Sequence, residues 1–148
     1  MRTTTMAMKP GIVLHRGVAA GKISVGDAVR PIVNMQNRAA TARAHTATHL
    51  LQAALRRVLN TDVEQRGSRV APDSVRFDFS FGRAMTADEK AAVEDLVNQW
   101  IAADMPVSHE EMPITDAKKR GAMALFGEKY GDVVRVITAG DVSCELCG

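Results

Sequence analysis

A stretch of helical character from residue 36 to residue 60 carries two histidines four positions apart, His45 and His49. Residues i and i+4 share one helix face, so both imidazoles can reach a single metal ion. The chain's cysteines stand at its other end, Cys144 and Cys147 in Cys144-Glu145-Leu146-Cys147-Gly148. His and Cys are the usual zinc ligands. If both sets meet at one ion, an early helix must lie against a late strand, and what lies between them closes into one domain. Plainer readings exist for the same residues. The histidines also fit a half-exposed polar helix face, and each cysteine also fits as a small buried hydrophobe.

A length of 148 residues suits one medium domain, or a small one plus part of another. A hydrophobic content of 46% is enough for a real core. The net charge of +2 permits RNA as a partner without arguing for it. Aromatics at 4% are too sparse for platforms that stack single-stranded bases. The N-terminus lacks the apolar run of a signal peptide, and no stretch approaches the roughly 20 apolar residues of a membrane span. Two cysteines three apart make no disulfide framework, so the expected compartment is the reducing cytoplasm, with no membrane and no DNA as partners.

Along the chain, residues 1–9 read as a disordered tail. Gly11-Ile12-Val13-Leu14-His15 reads as a short strand, and further apolar pieces at 22–29 and 31–33 are separated by a Gly26-Asp27 turn. Together residues 10–35 suggest the end of a small β-barrel, too short to be a whole one, which implies truncation at the N-terminus. The long helix over 36–60 presents Leu50, Leu51, Ala54, Leu55 and Val58 as its apolar stripe, with Arg43, Arg56 and Arg57 outward. An extended piece over 63–69 has a bulge or turn at Gly67-Ser68. Val75-Arg76-Phe77-Asp78-Phe79-Ser80-Phe81 alternates strictly, the pattern of a strand with one buried face. Thr86-Ala87-Asp88-Glu89 is a capping box that opens a second helix, whose core face is Val93, Leu96, Val97, Trp100 and Ile101. A third helix starts near Thr115 and runs toward Leu125-Phe126. Strands follow over 132–138 and 142–146, joined by a Gly140-Asp141 hairpin turn. The fold class is α+β: helices packed on an antiparallel sheet in two layers, over residues 36–148.

The residue after His45 is Thr46 rather than Glu, which disfavours a His-Glu-x-x-His metalloprotease. A thioredoxin-like cysteine pair precedes a helix, whereas Cys144 and Cys147 follow a strand. Two metal geometries stay open at this point: a closed His2Cys2 set, or three protein ligands with an open position for catalysis.

His45-Thr46-Ala47-Thr48-His49-Leu50-Leu51 resembles the signature of the editing domain of alanyl-tRNA synthetases. Gln65-Arg66-Gly67-Ser68, Arg76-Phe77-Asp78-Phe79-Ser80, Ala124-Leu125-Phe126-Gly127-Glu128-Lys129-Tyr130-Gly131, Val134-Arg135-Val136 and Ser143-Cys144-Glu145-Leu146-Cys147-Gly148 match it too, in order and with natural spacing. The resemblance covers about Gly11 to Gly148. It extends to free-standing AlaX-type deacylases, and the 11–33 piece resembles the β-barrel that precedes the editing domain.

The resemblance implies a two-layer editing domain of the type shared by threonyl- and alanyl-tRNA synthetases, cut off at its C-terminus. It implies zinc-dependent hydrolysis of mischarged Ser-tRNA(Ala) and Gly-tRNA(Ala), in a parent enzyme that joins alanine to tRNA(Ala) using ATP. His45, His49 and Cys147 are then zinc ligands, and the fourth, a histidine, is expected three residues beyond Gly148. Thr48 becomes the group that selects the seryl hydroxyl and Gln65 the one that positions substrate or water. Ser68, Arg76, Asp78 and Lys129 become substrate contacts, with Lys118, Lys119 and Arg120 as further candidates for the tRNA acceptor end. For each of these an ordinary hydrogen bond or a solvated face is the alternative. A free-standing deacylase, an inactive tRNA-binding module and a threonyl-type editing domain also remain open, although the Ala-Leu-Phe-Gly-Glu-Lys-Tyr segment favours the alanyl branch.

Overall fold

The structure is a computed structural model and describes residues 3–9, 12–60, 63–124 and 130–147. It divides into two compact units, 1–33 and 34–148.

In the first unit, β1 (Thr3–Lys9) pairs antiparallel with β2 (Ile12–Gly17), from Thr3 opposite Gly17 to Lys9 opposite Ile12. The stretch expected as a disordered tail is therefore largely a strand. Its threonine-rich start, Thr3-Thr4-Thr5, suits a pleated backbone, and β2 supplies the partner that satisfies it. The further short strands expected over 22–33 do not form. Among the described residues there, Ser24 and Asp27 close a turn, with Asp27 N–H donating to Ser24 O at 3.2 Å and Ser24 N–H to the Asp27 carboxylate at 2.7 Å. With no third strand beside them, Val25, Val29 and Ile32 stay exposed.

The second unit is built around α1 (Met35–Leu59), 25 residues and about 37 Å long at 1.5 Å per residue. Asn34 caps its start by accepting the Asn37 N–H at 3.1 Å, and Asn60 ends it in the left-handed conformation. One side of α1 gives Ala54 and Leu55 to a core with Val63 and Val93, with Leu51, Val58, Phe77, Phe79, Leu96, Val97 and Trp100 packed around it. The phenylalanines come from β4 (Val75–Phe79), which pairs antiparallel with β3 (Gln65–Val70). The expected irregularity at Gly67 is a β-bulge between Gln65 and Gly67. A Cβ on Gly67 would sit 3.1 Å from an Asp78 carboxylate oxygen, so a larger residue would have to displace that side chain.

Val93, Val97, Leu96 and Trp100 of this core belong to α2 (Ala87–Ala102). Ile101, expected on the same face, is 53% exposed and lines an open groove instead. The capping box closes as the sequence implies: Glu89 N–H donates to Thr86 Oγ1 at 3.2 Å, and Thr86 N–H donates to the Glu89 carboxylate at 2.8 Å. Arg83 donates to the same carboxylate at 2.8 Å. That guanidinium first, and then the Thr86 N–H, hold the Glu89 carboxyl down at about 2. A carboxyl depressed in the fold stabilises it above the ordinary value near 4.5, and the contribution disappears as pH falls toward 2. Urea melts of wild type and Glu89→Gln are therefore expected to differ at pH 7, to approach each other below about pH 4.5 and to converge only near pH 2. Thr86→Ala should cost about 1 kcal/mol at neutral pH, with Thr86→Ser recovering most of it.

The other layer is a sheet in the order β5-β6-β7, all antiparallel: β5 (Val107–Pro113), β6 (Val133–Ala139) and β7 (Ser143–Leu146). The β6–β7 turn begins at Gly140, at φ +50, where a Cβ would lie 2.7 Å from Met105 Sδ. One face of the sheet buries Met112, Val134, Val136 and Leu146 against Ala117 of α3 (Ile114–Lys119). The opposite face packs on α1. The third helix stops well short of the run expected for it. Gly121, at φ +78, ends it: Gly121 N–H donates to Lys118 O and Ala122 N–H to Ala117 O, each at 3.0 Å, a Schellman closure. Leu125 and Phe126 lie outside the described residues. Among the described residues, no helix is long and apolar enough to cross a membrane.

Candidate metal centre

The period-2 alternation of β7 decides which end-of-chain side chains can reach α1. Leu146 and Cys144 belong to the core on the α3 side. Ser143, Glu145 and Cys147 alternate with them and take the α1 side. Cys144 and Cys147, three apart, thus diverge. Thr138 Oγ1 donates to Cys144 Sγ at 3.8 Å, and Cys144 is outside the ligand cluster. Cys147 lies just past the strand, held by its N–H on Arg135 O at 2.9 Å.

On the α1 side, Cys147 Sγ lies 3.2 Å from His45 Nε2. The rings of His45 and His49 are 4.9 Å apart, tilted by 50°. One ligand atom from each of His45, His49 and Cys147 falls within 4.8 Å of the others. A tetrahedral zinc with bonds of about 2.0–2.3 Å spaces its ligands roughly 3.3–3.7 Å apart, so closure needs shifts on the order of 1 Å. Two further observations fit an ion here. His49 Nε2 is buried and has no hydrogen-bond partner. Its other nitrogen is taken: Nδ1 donates to Glu145 at 2.6 Å. A buried nitrogen with no partner is costly, and a cation bound to it removes that cost.

The electrostatics of the two histidines differ. Burial, then the nearby His49 and Arg135 charges, push His45 below its ordinary value, with Glu145 pulling weakly the other way. For His49 burial is again the largest single influence and lowers it. The nearby Cys147 thiol, with the hydrogen bond and charge of Glu145, outweighs burial and raises it to about 9.

Thr48 is buried one position before His49, and its Oγ1 donates to Ala44 O at 2.9 Å. Its donor is committed within the helix, while its oxygen retains lone pairs that can still accept. Gln65 and Ser68 are brought together across the bulge, Gln65 Nε2 donating to Ser68 Oγ at 3.1 Å. Ser68 stands opposite Phe77, so both share the face of the β3–β4 ribbon that turns to the core of α1. Arg76 and Asp78 take the outer face and bond each other, Arg76 Nε donating to Asp78 at 3.1 Å. They are not joined to the histidines or Cys147. Lys119 pairs with Asp116 and Arg120 with Glu110, each at 3.0 Å. Lys129 lies outside the described residues. A groove of about 750 Å³ runs beside Ala40, Ala44, Ala47 and Leu50, on a part of α1 away from the ligand atoms.

Two neighbours of the site escape a reading of the sequence by motif alone. Glu145 is 3% exposed, and Ser143 Oγ donates to its second oxygen at 3.2 Å. The signal was available: a carboxylate two positions from both Ser143 and Cys147 shares their face of the strand. Arg56, expected outward, is instead half-buried, its Nη1 donating to Met123 Sδ at 3.2 Å. It follows His45, His49 and Gln52 along the same helix face.

No family model matches the chain. Among curated proteins, it is 55% identical to the alanine–tRNA ligase of Deinococcus radiodurans over 97% of its own residues, which is 17% of that protein. It is 55% identical to the alanine–tRNA ligase of Desulfitobacterium hafniense over 93% of the chain and 16% of the relative. With the Thermus thermophilus alanine–tRNA ligase it shares 51% identity over 98% of the chain and 17% of the relative. The chain thus spans about a sixth of the length of the curated relatives it matches. Over nearly its whole length, then, this chain belongs with a single segment of the alanyl-tRNA synthetase family.

Proposed function

We propose that this chain is the editing segment of an alanine–tRNA ligase, a cytoplasmic enzyme that joins alanine to tRNA(Ala) with ATP. The segment's own reaction is hydrolysis of Ser-tRNA(Ala) and Gly-tRNA(Ala). The observation that carries the reading is the convergence of His45, His49 and Cys147, with a buried, unpartnered Nε2 on His49. The need for such a site is physical. A pocket shaped for alanine cannot by binding alone exclude glycine, or a side chain of similar size with an added hydroxyl, so a second site has to remove the wrong ester.

His45, His49 and Cys147 would hold a zinc ion. When bound, zinc supplies Lewis acidity toward an ester carbonyl or toward water. The chain's own residues bind and orient. The Thr48 oxygen can accept the hydrogen bond of a seryl hydroxyl, a contact that an alanyl ester cannot make. The Gln65–Ser68 pair offers an amide and a hydroxyl to hold the ester or the attacking water. In the reaction water adds to the ester carbonyl and the bond to the ribose oxygen breaks. One water proton passes to that oxygen, and the amino acid leaves as a carboxylate with the other proton released to solvent.

The test is deacylation of Ser-tRNA(Ala) with zinc content measured in parallel. Wild type is expected to hold zinc and clear the ester. His45→Ala is expected to lose the metal and at least about 100-fold in rate, since even residues that merely support a metal ligand contribute 10- to 100-fold. A folded wild-type chain that takes up no metal and leaves the ester intact, while still binding tRNA, would make this a binding module and overturn the proposal.

A further inference from the structure

Glu145 is placed where it can dictate how His49 meets a metal. Both edges of its strand are fixed. On one side Ile137 of β6, itself buried, stands directly opposite Glu145 in the register. On the other, Met123 N–H donates to Cys144 O at 2.9 Å and Leu146 N–H donates to Met123 O at 2.8 Å. The backbone on either side of Glu145 therefore cannot slide or turn. Its side chain is equally committed: one carboxylate oxygen accepts from His49 Nδ1 at 2.6 Å and the other from Ser143 Oγ at 3.2 Å. A buried carboxylate is expensive to keep, and this one has no role in closing the hydrophobic core.

We propose that Glu145, oriented by Ser143, is a positioning residue for the metal centre: by accepting the Nδ1 proton of His49 it fixes the ring and its tautomer, so that Nε2 is the nitrogen offered to the ion beside His45 and Cys147. The inference rests on the metal-centre reading of the chain. It adds that a residue making no bond to the metal sets the affinity, because a hydrogen-bonded carboxylate makes the imidazole a stronger donor and removes the cost of freezing its rotation. Gln52, one turn further along α1, donates to Val63 O at 3.0 Å.

The experiment uses the full 148-residue chain, metal-free, titrated with zinc against a chromogenic chelator and separately with cobalt(II). Glu145→Gln keeps the shape and an acceptor but removes the charge. Its zinc dissociation constant is expected to rise about 10- to 100-fold, and its cobalt absorption bands are expected to shift. Glu145→Asp, which keeps a carboxylate, is expected to recover part of the affinity, and Ser143→Ala to lose several-fold. A Glu145 that only stabilised the fold would lower the melting temperature of the metal-free chain and leave affinity and cobalt spectrum alone. Zinc affinity for Glu145→Gln within about twofold of wild type, with an unchanged spectrum, overturns the inference. If that variant fails to fold, Ser143→Ala, which leaves the carboxylate in place, decides instead: unchanged zinc affinity and cobalt spectrum there overturn the inference equally. A wild-type chain that binds neither zinc nor cobalt is a different failure, that of the metal-centre reading itself.

Discussion

His49→Ala is expected to destabilise the second unit by about 3–5 kcal/mol with no metal present, and to abolish metal binding as well. The first effect follows from what it leaves behind. Glu145 is 3% exposed, and its cationic partner disappears while its other contact is only a serine hydroxyl. Removing one member of a buried charged pair strands the other, which is far costlier than never having built the pair. His45→Ala should behave differently. It is half-buried, and its contact is the half-buried thiol of Cys147, which tolerates an apolar setting as a small hydrophobe. Thermal melts in chelator should therefore separate the two variants clearly, while zinc titration shows both to be defective. Equal and small stability losses would show that Glu145 does not depend on His49 in the folded state.

The contrast between these histidines shows where the sequence was readable and where it was not. The helix carrying them, its apolar stripe and its end at Asn60 follow from a 3.6-residue period and local capping chemistry, and these act within a few residues of each other. The Thr86–Glu89 box and the Phe77–Phe79 strand face were legible for the same reason. So was the divergence of Cys144 from Cys147, because a pleated strand sends residues three apart to opposite sides. The β1 strand was not legible, because threonines and methionines become a strand only when a partner presents itself. The early end of α3 turned on Gly121 adopting a positive φ, which a glycine permits but does not announce. Glu145 was overlooked because motif reading looks for atoms that bind the metal. A residue that binds the binder becomes visible only once β7 is laid against α1 and the 96 positions separating Glu145 from His49 have been folded away.

Leu146→Ala is the second large effect expected, and it links the core to the site. Leu146 is 1% exposed and packs with Met112, Ala117, Val134 and Val136. Truncating such a side chain removes its transfer energy and leaves a cavity, together about 3 kcal/mol within a usual range of 2–5. In a unit of this size that corresponds to a fall of roughly 10 °C in melting temperature. Leu146 differs from its neighbours in the cluster by its place in the chain, directly between Glu145 and Cys147. Its side chain anchors one face of β7 while those two residues occupy the other, so a slackened Leu146 lets both drift from the histidines. Zinc affinity should therefore fall along with stability in Leu146→Ala. In Val136→Ala, which thins the same core from β6, stability should fall while affinity holds. Leu146→Met, nearly equal in volume, should restore most of both. If Val136→Ala and Leu146→Ala weaken zinc binding equally per unit of lost stability, the centre depends on the sheet as a whole rather than on the strand that carries Glu145 and leads into Cys147.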